Sequence, residues 1–302
     1  MKRFEVAVYA EGTLYPWYRV QRLTPEIHKA GWDRVILGLF HIGRPDAGQT
    51  EGDLLFNDTP IISQGQYVGD PAWPKELAKL HRLGVKLSAS FGGARPWVKD
   101  FETLHHIYMA SGESLAGTNF ERCFRKFVEL FPFIDLIDVD NEDLYDVPSL
   151  IAWLNMMGDL GLKATFCPYE EAGFWVKCLS LIEKRRPGLV VRWNLQCYAG
   201  GDGQRPEIWA RAIKEAMPKF HTDRYFSISD WSRFFDHTWQ GHNPSEVATL
   251  MKSLRDPSVS GAFLWNLDQI VQYETDQESH PDAGGPGGDG HAYVEALRAG
   301  ST

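Results

Sequence analysis

Three acidic residues at alternate positions, Asp138, Asp140 and Glu142, close an otherwise apolar run, Phe133-Ile134-Asp135-Leu136-Ile137-Asp138-Val139-Asp140-Asn141-Glu142. In an extended strand alternate side chains share a face, so these three form a ladder while Ile137, Val139 and Asn141 point the other way. If the apolar face meets covering helices, the acids face a barrel interior or a cleft floor. Carboxylates crowded out of water oppose one another's ionisation, so the ladder must share protons. A carboxyl kept protonated at neutral pH by its neighbours is what acid catalysis needs. Two other readings exist: solvated acids at a strand end, and a divalent-metal site. Ligands stacked on one strand enclose an ion poorly, and no metal or cofactor is expected.

The spacing Asp135-x-x-Asp138-x-Asp140-x-Glu142 resembles the signature of the family-18 glycoside hydrolases, the chitinases and endo-N-acetylglucosaminidases, whose last Glu is the acid. The resemblance implies a single (β/α)8 TIM barrel spanning 1–302, with chemistry at the C-terminal ends of its strands. It also implies site residues on other strands. Ser88-Ala89-Ser90-Phe91-Gly92-Gly93 is similar to the family's Ser-x-Gly-Gly; Ser90 is expected to bond the base of the ladder, and Gly92 and Gly93 to leave room for substrate. Asn194-Leu195-Gln196-Cys197-Tyr198 is similar to the strand-six pattern, whose Tyr holds a substrate acetamido group; Gln196 and Tyr198 share a face by alternation. Ala199 follows where the family often has Asp or Asn. Trp265 stands where the family has a hydrophobic floor under the reacting ring, and Tyr9 and Phe40 occupy family-like positions on strands one and two. Asn141 departs from the pattern, since an aromatic or apolar residue is more usual there.

Elements able to position these residues follow from periodicity and punctuation. Apolar runs at Phe4–Ala10, Arg34–Ile42, Val85–Phe91, Phe133–Glu142, Leu162–Pro168, Leu189–Tyr198, Tyr225–Ser229 and Gly261–Leu267 read as eight strands. Helices are expected between them at Thr24–Gly31, Trp73–Arg82, Phe120–Leu130, Val147–Gly158, Glu171–Arg186, Pro206–Met217 and Pro244–Leu254, with a last one at His291–Arg298. Asp53–Val68 reads as a hairpin within a long loop, turning at Asn57-Asp58-Thr59-Pro60. Such alternation is the pattern of an α/β barrel. The chain between strands seven and eight is too short for the small α+β domain that deep-tunnel family members carry there, so an open groove is expected. Tyr15, Trp17, Trp97, Trp231 and Trp239 are candidates to line it.

Composition agrees with a soluble globular protein: 302 residues, 43% hydrophobic and 24% charged, with disorder expected only near Asp282–Asp289. A net charge of -9 disfavours nucleic acid and anionic membranes, which reward clustered Lys and Arg. A neutral ligand fits better, and the 13% aromatic share supplies flat faces for sugar rings. The expected partner is a glycan containing N-acetylglucosamine, with no nucleic acid, no membrane and no obligate protein partner. Glu5 and Glu11 interrupt any signal-peptide core, and no run reaches the length of a membrane span. Cys123, Cys167, Cys178 and Cys197 are too few and too scattered for a disulfide framework and read as buried free thiols. His105-His106, and His237 with His242, lack a third metal ligand at a nearby spacing and read as loop histidines. The function implied is a retaining hydrolase of β-linked N-acetylhexosamine glycans; the alternatives are a chitinase-like carbohydrate-binding protein without turnover, or an endo-N-acetylglucosaminidase acting on N-glycans or cell-wall amino sugars.

Overall fold

The computed structural model describes residues 3–94, 97–198, 205–232, 234–235, 238–276 and 290–301. Eight parallel strands close on themselves: β1 (Glu5–Ala10), β2 (Arg34–Ile42), β3 (Lys86–Gly92), β4 (Ile134–Asp140), β5 (Lys163–Phe166), β6 (Val190–Asn194), β7 (Phe226–Trp231) and β8 (Val259–Trp265). β1 pairs with both β8 and β2, which leaves the ring without an edge. This is the expected (β/α)8 barrel. Between β7 and β8 the described residues hold a short antiparallel ribbon of Phe234–Phe235 with Thr238–Trp239 and one helix, Pro244–Ser253, and form no α+β domain among themselves.

Strand alternation divides the side chains. Val6, Val8, Val35, Leu37, Leu87, Phe91, Ile137, Val139, Phe166, Ile228 and Leu264 join the apolar layer under the helices. Ala7, Tyr9, Ile36 and Phe263 form a separate small cluster inside the barrel, with Trp265 and Tyr198 packed on it. Helix starts are marked by side-chain caps: Thr118 accepts from Glu121 N–H at 3.1 Å, Asp146 from Ser149 N–H at 2.9 Å, and Asn243 forms a capping box with Glu246.

Several elements differ from the sequence reading. The first helix runs Trp17–Ala30, so Pro25 is interior to it rather than at its start, while Gly31 ends it in the left-handed conformation. His105 and His106 lie in a helix, Asp100–Ala110, not a loop. Its first N–H groups are capped from outside: the Asp143 carboxylate accepts from Phe101 N–H at 3.0 Å and Glu102 N–H at 3.2 Å. A cap lent by a distant strand end has no local sequence signal. A further helix, Leu267–Asp276, follows β8 directly. Ala199, Gly200, Gly201, His237 and the Gly-rich segment 282–289 lie outside the described residues.

Candidate active site

Asp138 and Asp140 point into the C-terminal half of the barrel, and Glu142 stands two residues past the end of β4 at its mouth. Asp135, the first acid of the spacing, belongs to the other end: it is exposed and pairs with Arg34 at 3.1 Å. Asn141 is fully buried and closes the turn that carries Glu142, donating to Leu144 C=O at 2.8 Å and accepting from Asp143 N–H at 3.3 Å. An apolar residue could not make this turn-closing pair of bonds, which accounts for the departure at that position.

Asp138 is 1% exposed and accepts four hydrogen bonds from four strands: Tyr9 Oη at 2.7 Å and Ser90 Oγ at 2.9 Å on one oxygen, Thr165 Oγ1 at 2.6 Å and Asn194 Nδ2 at 2.8 Å on the other. Bonds to a charged acceptor contribute about 1.5–3 kcal/mol each, the same order as the several kcal/mol that burial of an ion costs. Burial wins: the Asp138 carboxyl is held above the ordinary Asp range despite its four donors.

Asp140 is 4% exposed and has no such shell. Burial, then the charges of Glu142 and Asp138, push it well above the ordinary range. Glu142 is raised as well, first by burial; Gln196 and Asp140, which donate to it, pull it back, and Glu170 beyond β5 pushes it up. Each carboxyl thus bears on the other's ionisation, and the two titrate as a pair rather than as separate acids. Gln196 Nε2 bridges them, 3.2 Å from Asp140 Oδ1 and 3.0 Å from Glu142 Oε1.

Aromatic walls complete the mouth. Tyr9 packs on Phe263 and Trp265 with ring centroids 5.2 Å apart in each case, and half-buried Tyr198 stacks on Trp231 at 5.9 Å, nearly parallel at 9°. Asp140 and Glu142 lie near enough to raise the Tyr198 phenol, after burial and Cys167. Gln196 and Tyr198 lie past the end of β6, and Ser229 holds that segment by accepting from Cys197 N–H at 2.9 Å and donating to Leu195 C=O at 2.6 Å. The loop after β1 is tied down by Asp268, which accepts from the N–H groups of Glu11, Gly12 and Thr13 at 2.6, 2.7 and 2.6 Å.

Tyr9, Ser90, Asp138, Asp140, Glu142, Gln196, Tyr198 and Trp265 therefore converge as expected. Phe40 does not. The β2–β3 register slips between Leu37 and Phe40, and a one-residue slip exchanges the faces of a strand. Phe40 is turned outwards, fully buried against Phe56, Phe91 and Phe127, and belongs to the core. Gly92 and Gly93 also serve the protein rather than open space. Gly92 has φ +112°, and a Cβ there would lie 2.0 Å from Asp140 C=O; one on Gly93 would meet Leu39 at 2.5 Å. They allow β3 to press against the strand end that bears the acids.

Thr165, Cys167, Asn194 and Glu170 were not anticipated. Thr165 and Cys167 alternate on one strand, and Asn194 shares the parity of Gln196, so period two could have placed all three inside. The other candidates are dispersed. Tyr15 packs edge-on against Trp73 at 5.0 Å, Trp97 and Trp17 are 57% and 37% exposed, and the chain at Trp239 pairs with Phe234. His106 pairs with Glu51 at 2.6 Å, and His242 with buried Asp230 at 2.9 Å.

No family model and no curated protein matches the sequence. Solved structures match it in shape along nearly its whole length. A GH18 chitinase from Pseudoalteromonas aurantia superposes with TM-score 0.60 at 12% identity, covering 97% of this chain and 98% of that one. Active domain 2 of a thermostable chitinase from Pyrococcus furiosus, solved with chito-oligosaccharides, gives 0.61 at 14%, covering 98% and 94%. The chain has the fold of the family-18 glycoside hydrolases. The Bacillus megaterium spore cortex-lytic enzyme SleL is similar too, with TM-score 0.56 at 10% identity, covering 98% of this chain and 75% of SleL. In this barrel the acid ladder occupies the C-terminal end of β4, the end at which TIM barrels carry chemistry.

Proposed function

We propose that this protein is a retaining glycoside hydrolase acting on β-linked N-acetylhexosamine glycans, chitin-like oligosaccharides first among them, with 1–302 as one catalytic barrel. The observation that carries the reading is the Asp140–Glu142 pair: two carboxyls at the barrel mouth, both raised first by burial, bridged by Gln196 and walled by Tyr9, Tyr198 and Trp265. Glycan binding is further supported by the chito-oligosaccharides bound in the Pyrococcus furiosus structure.

Glu142, the more exposed of the pair, is the general acid that protonates the leaving oxygen. Asp140 is on the same strand and touches Glu142, so it cannot stand across the scissile bond as a carboxylate nucleophile, which needs a separation of about 5–5.5 Å. The substrate's own acetamido oxygen is the nucleophile instead. Its N–H donates to Asp140, which transfers the shared proton to Glu142 and arms the acid as the substrate arrives. Tyr198 holds the acetamido oxygen as it closes on the anomeric carbon, with Trp265 beneath the ring. The bond to the leaving sugar breaks as Glu142 delivers its proton, and Glu142 then takes a proton from the water that opens the oxazolinium ring. Asp138, saturated by four donors, stays fixed below as a charge that keeps Asp140 hard to ionise.

The test is product analysis on N-acetylglucosamine oligomers against cello-oligosaccharides and glucosamine oligomers of the same linkage. Only N-acetylated substrates should be cut, with the β-anomer released first and a thiazoline mimic of the ring inhibiting. Glu170 is the other carboxylate near Glu142 and is exposed. Were it a nucleophile, cleavage would not require the acetamido group, so efficient cutting of cello-oligosaccharides or initial release of the α-anomer overturns the mechanism. Binding without turnover would favour the carbohydrate-binding alternative.

A further inference from the structure

Beside the mouth, the hydrogen-bond ladder between β6 and β7 runs out. Alternate residues of a parallel strand turn both backbone groups to the same neighbour. Ser232 N–H, just past β7, donates to Trp265 C=O of β8 at 2.7 Å, while Ser227 C=O accepts from Leu195 N–H, just past β6, at 2.8 Å. Trp231 has the parity of Ser227, so its N–H and C=O face the side of β6, which has already ended at Asn194. Asp230 and His242 supply the missing partners. The Asp230 carboxylate accepts from Trp231 N–H at 2.8 Å, and His242 N–H donates to Trp231 C=O at 3.0 Å. The two residues are also joined to each other, with His242 Nδ1 at 2.9 and 3.0 Å from the two Asp230 oxygens. Tyr293 Oη, on the helix Gly290–Arg298, donates to His242 C=O at 2.8 Å and ties the pair to the outer layer.

The pair stands behind the barrel wall and acts through it. Ile228 joins the apolar layer under the helices, and Asp230, of the same parity, is fully buried on that side. Trp231 turns the other way, to the mouth, where its ring lies 5.9 Å from that of Tyr198 and within 9° of parallel. We infer that Asp230 and His242 are positioning residues of the candidate site: together they fix the backbone of Trp231, so that its indole backs Tyr198 in the place where the acetamido group is held. The inference rests on the reading of Tyr198 as the residue that holds the acetamido oxygen. An apolar residue at 230 would fill the same space but leave Trp231 N–H without a partner, and the end of the strand free to shift. Such a shift is felt most as the oxygen closes on the anomeric carbon, because the ring platform of Trp265 and Tyr9 still binds the sugar. It therefore shows in kcat rather than in KM.

His242 is the residue to change, since its side chain is 44% exposed and can be shortened without leaving a hole, whereas Asp230 is enclosed. His242→Ala cuts the tie to Asp230. It should lower kcat on an N-acetylglucosamine oligomer, per folded molecule, by about 10- to 100-fold, the scale of an ångström's misplacement, with KM little changed. His242→Asn places an amide N–H where Nδ1 stood and should restore most of kcat. A His242→Ala enzyme with the wild-type kcat, one whose loss lies in KM alone, or a His242→Asn enzyme as slow as His242→Ala overturns the inference in favour of a purely structural pair. A second arm is independent of turnover. The near-ultraviolet circular dichroism that separates wild type from Trp231→Phe isolates the signal of Trp231 on Tyr198. That signal should vanish in His242→Ala and persist in His242→Asn, whether or not the protein cuts a glycan. A signal unchanged in His242→Ala shows that the pair does not hold Trp231 and overturns the inference. A signal lost in His242→Ala of a protein whose wild type cuts no glycan upholds the positioning of Trp231 and overturns the hydrolase reading instead.

Discussion

The two ends of the barrel bury the same kind of group and treat it in opposite ways. At the N-terminal end Glu5 is enclosed by Arg192 at 2.8 Å, Arg34 at 3.1 Å and Lys86 at 2.8 Å. At the C-terminal end Asp138, Asp140 and Glu142 meet hydroxyls and amides, and among the bonds described none is to a cation. Burial penalises ionisation at both ends. The cations at the floor outweigh it and hold Glu5 far below the ordinary Glu range, while the neutral donors at the mouth do not, and all three acids are raised. Acid therefore acts on the ends with opposite sign. The lowered Glu5 contributes stability that is in place above the ordinary Glu range and is lost only in strong acid. The raised Asp140 and Glu142 favour the fold more as pH falls through their raised range, and oppose it as they ionise. The floor holds the barrel shut; the mouth keeps its protons to higher pH than ordinary carboxyls do, at some cost in stability.

The largest expected effect lies at the mouth. Glu142→Gln keeps shape and hydrogen bonding but removes the transferable proton, so turnover of a chromogenic chitobioside should fall by about 10²–10⁴. Binding of N-acetylglucosamine oligomers, measured by calorimetry, should persist. Lost binding together with lost turnover would make Glu142 structural and would erase the contrast with the floor.

Next in size is the mirror experiment at the floor. Glu5→Gln leaves Arg34, whose side chain is 4% exposed, and Arg192, at 11%, without their shared counter-charge. Removing one partner of a buried ion pair costs about 3–5 kcal/mol, so denaturant unfolding should show a loss of that order, largest near neutral pH and shrinking in strong acid. Activity of the remaining folded enzyme should be little changed. A stability loss with no pH dependence would assign Glu5 a packing role.

Much of this arrangement is legible in the sequence, because it depends on period two. Alternation along 137–142 places the acids on one face, Ser90 is found at Asp138, and the eight apolar runs give the barrel. What escaped depends on geometry that alternation does not contain. Phe40 is inverted by a register slip between strands, a property of two strands together. The helix over His105 and His106 is capped by Asp143 from another loop. The four donors around Asp138 come from β1, β3, β5 and β6, and only closure of the barrel brings them to one point. Thr165, Asn194 and Cys167 were within reach of the same alternation, yet as common core residue types they carry no distinctive spacing.

The smallest expected effect is the most informative about the mouth, since it concerns repulsion alone. Asp138 raises Asp140 by charge, and no cation intervenes among the groups that act on Asp140. In Asp138→Asn that repulsion is gone. Asp140 then ionises more readily, the pair gives up its last proton at lower pH, and the basic limb of kcat/KM moves down by about one unit, roughly 1.4 kcal/mol. The new amide can set its oxygen toward Thr165 and Asn194 Nδ2 and its NH2 toward the Tyr9 and Ser90 hydroxyls, which accept as well as donate, so little stability is lost with the shift. The measurement is a pH profile for kcat/KM on the folded fraction, compared with wild type. An unmoved limb would mean that Asp138 and Asp140 titrate independently, and the mouth would then be a row of separate acids rather than a coupled one.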